Sequence, residues 1–140
     1  MPESMPLSRF EQLAIGQTAQ ISKTITESDI VLYAAISTDI NPSHLDADYA
    51  ASGPFGGRVA HGMLSAGLIS AVLGNKLPGP GTIYLSQTLQ FRHPVRIGDT
   101  VTAKAEVIAL DPAKRRATLR TQCFVRTLLV IEGEALVMVA

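Results

Sequence analysis

The chain has one cysteine, no excess of charge of either sign, and no charged side chain at all between Val59 and Asn75. A lone cysteine excludes an intramolecular disulfide framework, and the strand-like run Arg120-Thr121-Gln122-Cys123-Phe124-Val125 marks Cys123 as core filler rather than a nucleophile. Twelve Lys and Arg against twelve Asp and Glu give nothing to attract nucleic acid or an anionic membrane surface. The glycine-rich piece Gly53-Pro54-Phe55-Gly56-Gly57 lacks the Gly-Lys-Ser/Thr ending of a phosphate-binding loop, and Gly67-Leu68-Ile69-Ser70-Ala71 lacks the glycine pattern of a nucleophile elbow. Histidines at 44, 61 and 93 have no close ligand spacing, so neither a metal nor another cofactor is expected. Met1-Pro2-Glu3-Ser4-Met5-Pro6 puts acid and proline where a signal peptide needs a basic start and an apolar run, which points to a cytoplasmic protein.

What is present suffices for one domain spanning residues 1–140, with 46% apolar residues to build its core. Residues 1 to about 16 read as a loosely held lead-in and Gln17 to Thr24 as a first strand. Thr26-Glu27-Ser28-Asp29 has the pattern of an N-cap with acids in the first turn, and Ile30, Tyr33 and Ala34 recur at helical spacing, predicting a helix that ends near Thr38. Asp39 and His44 then fall five residues apart on Asp39-Ile40-Asn41-Pro42-Ser43-His44, which reads as irregular backbone because Pro42 biases Asn41 away from the helical region. A carboxylate and an imidazole that can share one water suggest proton transfer. A short helix over Asp46 to Ala51 follows and is broken by Ser52-Gly53-Pro54.

The charge-free run from His61 to Gly74 is apolar or small on every face, so it predicts a buried helix; it is too short and too diluted by Gly and Ser to span a membrane. Met63, Gly67, Ser70 and Gly74 share one stripe of that helix, which would let another backbone or a ligand come close. The remainder is strand: Thr82 to Phe91, Val101 to Leu110, Arg116 to Val125 and Leu128 to Val139. In the first of these, Ile83, Leu85, Leu89 and Phe91 alternate with polar residues, and Gln87 is a polar side chain on the apolar face that needs a partner or a polar cavity. The whole predicts an α+β domain in which a curved antiparallel sheet of about five strands wraps one long buried central helix. A domain this small leaves part of that helix or a sheet edge uncovered, which a homodimer would remedy.

The segments Tyr33-Ala34-Ala35-Ile36-Ser37-Thr38-Asp39-Ile40-Asn41-Pro42-Ser43-His44-Leu45-Asp46, Tyr49-Ala50, Val59-Ala60-His61-Gly62-Met63-Leu64, Leu77-Pro78-Gly79-Pro80-Gly81-Thr82-Ile83-Tyr84-Leu85, Phe91-Arg92-His93-Pro94-Val95 and Gly98-Asp99 resemble, in this order, the R-specific enoyl-CoA hydratases of the MaoC-like dehydratase group. That resemblance implies a hotdog fold and reversible syn hydration of a trans-2-enoyl-CoA to the (R)-3-hydroxyacyl-CoA, in fatty-acid metabolism feeding polyhydroxyalkanoate synthesis. It implies Asp39 and His44 as the catalytic dyad and the Gly62 N–H as donor to the thioester oxygen. The chemistry asks for the same things: a base for water, a proton for the α-carbon, and a donor for an enolate-like oxygen, here at a helix start where backbone N–H groups lack partners. Ser70 matches a position of the family that assists the site; Asn41, on the dyad loop, and Gln87 complete the expected substrate-contacting set. His61 reads as a helix-start residue bonded to neighbouring backbone, His93 as structural, and Arg58, Lys76, Arg92 and Arg96 as cations within reach of CoA phosphates. Same-fold alternatives are a 3-hydroxyacyl-ACP dehydratase and an acyl-CoA thioesterase, whose water would attack the carbonyl carbon. A non-catalytic acyl-CoA-binding module is the alternative of another class.

Overall fold

The computed structural model describes residues 7–140, so the N-terminal residues read above as no signal peptide lie outside the described part. A 3-10 turn at Phe10–Gln12 is followed by β1 (Thr18–Thr24), α1 (Glu27–Ser37), α2 (Pro42–Leu45), α3 (Ala47–Ala51), α4 (Gly62–Asn75), β2 (Ile83–Gln87), β3 (Gln90–Phe91), β4 (Thr100–Asp111), β5 (Arg116–Val125) and β6 (Leu128–Met138). The strands form one antiparallel sheet in the order β1-β4-β5-β6-β2, with β3 also on β6; it is open and six-stranded, where the sequence suggests about five. No described helix is long and apolar enough to cross a membrane.

The core forms where the inward positions of β4 and β5 meet α4. Val101, Ala103, Ala105 and Val107 alternate inward on β4, as do Ala117, Leu119, Thr121 and Cys123 on β5. Small residues on β4 let the helix lie close, and Ser65, Ala66, Ile69, Val72 and Leu73 recur at the period that keeps one helical stripe on the sheet. Burial pushes the Cys123 thiol up to about 12, consistent with an inert core residue. The lead-in is held more firmly than its sequence suggests: Phe10 is buried, its N–H donates to the Ala140 carbonyl, and Glu11 pairs with Arg115 at 2.8 Å.

Three expectations need correction. The helix α4 is buried on one side only: Met63, Gly67, Ser70 and Gly74 all lie on an exposed face, because one sheet covers one face of a helix. The stretch Thr82 to Phe91 is two strands and lies at the sheet edge, with Ile83, Leu85 and Phe91 exposed at 49%, 39% and 52%. Its break comes at Thr88, whose N–H donates to the Glu134 carbonyl while its hydroxyl accepts from the Glu134 N–H, so the chain crosses hard against β6. Third, the dyad loop is not wholly irregular. Pro42–Leu45 closes a helical turn with Pro42 in the first turn and the Asn41 side chain capping the Ser43 N–H at 3.0 Å, so His44 rides on α2. The α1 boundary agrees with expectation: Thr26 and Asp29 form a reciprocal capping box, and Thr38 ends the helix in the left-handed region at φ 65°.

The crossing at Thr88 is possible because residue 133 is glycine. A β-carbon there would lie 1.8 Å from the Thr88 carbonyl oxygen, and a backbone atom cannot swing aside. Gly133→Ala is therefore expected to cost at least about 2 kcal/mol of stability, measured by urea denaturation. An unchanged midpoint would contradict this strand register.

Candidate active site

Asp39 leaves the left-handed end of α1, His44 sits on the turn α2, and His61 caps α4; the three come from separate elements and meet at one place. A carboxylate oxygen of Asp39 and one ring nitrogen of each histidine lie within 4.8 Å of one another. They line a cleft of about 410 Å³ whose walls include Gly62, Met63, Phe91, Val95 and Ile131. A few converging polar groups in a mainly apolar cleft are the usual layout of a small-molecule site.

The extended run Val59-Ala60-His61 fixes the geometry. The Val59 N–H donates to the Ser43 carbonyl at 3.3 Å, and the Ala60 N–H donates to the Val95 carbonyl at 2.7 Å, so the run is tied to α2 on one side and to the segment after β3 on the other. His44 Nδ1 lies 2.7 Å from the Val59 carbonyl oxygen. A carbonyl only accepts, so Nδ1 carries the proton and Nε2 keeps its lone pair. The carbonyl of His44 in turn accepts from Arg58 Nε at 2.7 Å, and the Arg58 guanidinium makes two bonds to Glu27 at 2.7 and 3.0 Å. His61 is buried, its Nε2 is 2.8 Å from the Asp39 carbonyl oxygen, and its ring stacks on that of His44 with centroids 3.9 Å apart and planes 29° apart. Each ring thus has one nitrogen already bonded to a backbone carbonyl, which leaves one nitrogen per histidine for further chemistry.

Gly62 opens the 14-residue helix α4, where the first N–H groups have no intrahelical acceptor and the dipole is positive. The Phe91 ring lies against it: a β-carbon at 62 would meet Phe91 Cδ1 and Cε1 at 2.6 Å. Glycine thus lets an aromatic wall of the cleft approach the helix start.

The structure brings Asp39, His44 and Gly62 to the cleft and leaves Asn41, Ser70 and Gln87 off its walls. Asn41 caps α2 and Ser70 faces outward on α4. The Gln87 amide is spent inside the fold, donating to the Thr88 carbonyl and Thr121 Oγ1 at 2.8 Å each and accepting from the Tyr84 hydroxyl. Burial raises the Tyr84 phenol above its ordinary range, which keeps that hydroxyl a donor. Of the four cations considered for phosphates, Arg58 is a strut to Glu27, Arg92 pairs with Glu132 at 2.7 Å, Lys76 donates to the Gln20 carbonyl and Arg96 to the Phe55 carbonyl. The Arg58 strut and the His61 bond to Asp39 went unread in the sequence. A buried histidine just before a charge-free helix signals a distant partner without naming it, and a 31-residue separation hides Glu27 from Arg58 altogether.

Residues 11–132 match the family described as MaoC like domain. The chain belongs to the MaoC-like domain family. It is 56% identical to the (R)-specific enoyl-CoA hydratase of Rhodospirillum rubrum over 98% of this chain and 95% of that protein. It is 55% identical to the 3-hydroxybutyryl-CoA dehydratase of Methylorubrum extorquens over 93% of this chain and 83% of the other. Among solved structures, the (R)-hydratase from Aeromonas caviae involved in PHA biosynthesis superposes with a TM-score of 0.90 at 45% identity, covering 93% of this chain and 99% of that one. The unliganded R-hydratase PhaJ1 from Pseudomonas aeruginosa gives 0.89 at 46% identity, covering 95% and 86%. The hotdog fold expected from the resemblance is the fold observed.

The Gly62 to Phe91 contact generates a prediction. Gly62→Ala should push the half-exposed Phe91 ring aside and lower the melting temperature by a few degrees. Gly62→Ala with Phe91→Ala should restore the part of that loss due to the clash, as read from the non-additivity of the two single variants in thermal melts.

Proposed function

We propose that this protein is an (R)-specific hydratase that adds water to a trans-2-enoyl-CoA, acting as a homodimer in the cytoplasm. The observation that carries the reading is the His44 ring: its Nδ1 is occupied by the Val59 carbonyl, which leaves Nε2 as a base beside the Asp39 carboxylate, in the same cleft as the open start of α4. Water held between Asp39 and His44 gives a proton to Nε2 as its oxygen bonds to the β-carbon. The π electrons move to the thioester oxygen, which accepts a hydrogen bond from the Gly62 N–H. His44 then returns the proton to the α-carbon. Base and acid being one group, both additions occur on one face, which accounts for syn stereochemistry. Asp39 orients the water and stabilises the imidazolium while it lasts. Asn41 holds α2, and with it His44, in place; Ser70 reaches substrate through the face that a second copy would close.

The homodimer is supported by what one copy leaves uncovered. The exposed apolar residues Met63, Ile83, Leu85 and Phe91 lie on the outer face of α4 and along β2 and β3 at the sheet edge, and Met63 and Phe91 also line the cleft. Two copies sharing that edge would bury it.

Steady-state hydration of crotonyl-CoA, with chiral analysis of the product, tests the reading. Asp39→Asn and His44→Ala should each lower kcat by about 10²–10⁴-fold with the melting temperature preserved. Full activity in either variant, an (S) product, or release of free thiol in place of hydration would refute it. Crotonyl on acyl carrier protein, run in parallel, decides the carrier.

A further inference from the structure

We propose that His61 is a positioning residue that sets the separation of Asp39 and His44 and relays no proton in the reaction; this rests on the hydratase reading above. His61 is 2% exposed and lies between two rings, Tyr33 at 4.7 Å with planes tilted 56° and His44 at 3.9 Å. Its Nε2 faces the Asp39 carbonyl oxygen at 2.8 Å, so Nε2 carries a proton and donates it there. Its Nδ1 is buried without a partner among the described residues. A proton relay needs one nitrogen that receives and another that gives. Of the two nitrogens of His61, Nε2 faces a carbonyl that neither gives nor takes a proton and Nδ1 is buried without a described partner, so a second proton on the ring would leave a buried N–H without an acceptor. Relay is therefore the role this environment does not provide for.

Holding is the role it does provide for. Asp39 follows a non-glycine residue in the left-handed region and is exposed; its N–H donates to Ser37 Oγ at 3.1 Å and its Oδ1 accepts from the Asn41 N–H at 3.3 Å. Both partners lie within two residues and move with the same turn. The bond from His61 crosses 22 residues and fastens that turn to the head of α4, the element that also presents Gly62. The same ring is the platform under His44. One buried side chain thus fixes both members of the dyad relative to the helix start. Misplacing reacting groups by about 1 Å costs on the order of 10²-fold in rate.

The test compares His61→Leu, which removes the donor, with His61→Gln, whose amide can donate to the same carbonyl and cannot relay a proton. Leu should lower kcat for crotonyl-CoA hydration about 100-fold with KM within about threefold, and Gln should recover at least about tenfold of the loss. Thermal melts of both establish the folded fraction. Unchanged kcat in the Leu variant, or a Gln variant as impaired as Leu, overturns the proposal. Ring nitrogen-15 shifts of the three histidines in the unmodified, substrate-free protein give a readout independent of activity and of any variant. They should show His61 protonated at Nε2 alone; a proton on Nδ1 overturns the proposal. Inactivity of the unmodified enzyme on crotonyl-CoA would instead remove the hydratase reading, and the ring shifts would still decide the state of His61.

Discussion

The cleft depends on two backbone carbonyls, those of Val59 and Asp39, each of which takes the proton-bearing nitrogen of a histidine. A neutral imidazole is a base on one side and a donor on the other, and which side is which follows from the hydrogen bond it makes. By accepting from His44 Nδ1, Val59 leaves Nε2 with its lone pair. By accepting from His61 Nε2, Asp39 ties its own turn to α4. Both carbonyls sit in extended or turn backbone, where they are not already used by a helix or a sheet ladder. This is why the site is assembled from the ends of elements and the run Val59-Ala60-His61 instead of from the middle of a strand.

The sheet supplies the rigidity behind that arrangement. Alternating small apolar residues on β4, beside the inward positions of β5, let α4 lie close enough to be fixed along one stripe, and fixing α4 fixes both His61 and Gly62 at its head. The strut from Glu27 through Arg58 to the His44 carbonyl does the same for α2 from the opposite side. An exposed ion pair alone is worth little. Arg58 is 16% exposed and also binds a backbone carbonyl, so its geometric effect on α2 outweighs any Coulombic stabilisation.

Much of this was legible in the order of residues, and the rest was hidden for reasons of distance. The α1 cap at Thr26, the strands from Val101 onward and the charge-free helix follow from local pattern, because capping boxes and period-two alternation are local physics. Asp39 and His44 stood out by their spacing and by family likeness. Their backbone was misjudged because Asn41 acts as a cap and Pro42 as a first-turn residue, a pairing that starts a helix as readily as it makes a turn. The break at Thr88 could not be seen in Thr82 to Phe91, since its cause is a glycine 45 positions later on β6. Gln87 stands out in the sequence as an amide in need of partners; it is half-buried at the sheet edge rather than on a buried face, and its partner Thr121 lies 34 residues away. Local sequence marks a polar group that breaks an apolar alternation; only the register of the sheet states how far it is buried and what satisfies it.

The absence of charge from Val59 to Asn75 then has two causes on one helix. On the inner face a charge would be buried against β4 and β5 with no partner, at a cost of several kcal/mol. That argument covers Ser65, Ala66, Ile69, Val72 and Leu73 and says nothing of Met63, Gly67, Ser70 and Gly74, which are exposed in a single copy. Solvent alone would tolerate lysine or glutamate at those four positions. Their being small or apolar, on the same helix whose first turn faces the cleft, fits a face that is covered when the enzyme works. It also leaves the first turn of α4 without an acidic side chain of its own, so the carboxylate nearest its positive end is that of Asp39, across the cleft. The first-turn N–H groups, free of intrahelical acceptors, are donors open to the cleft.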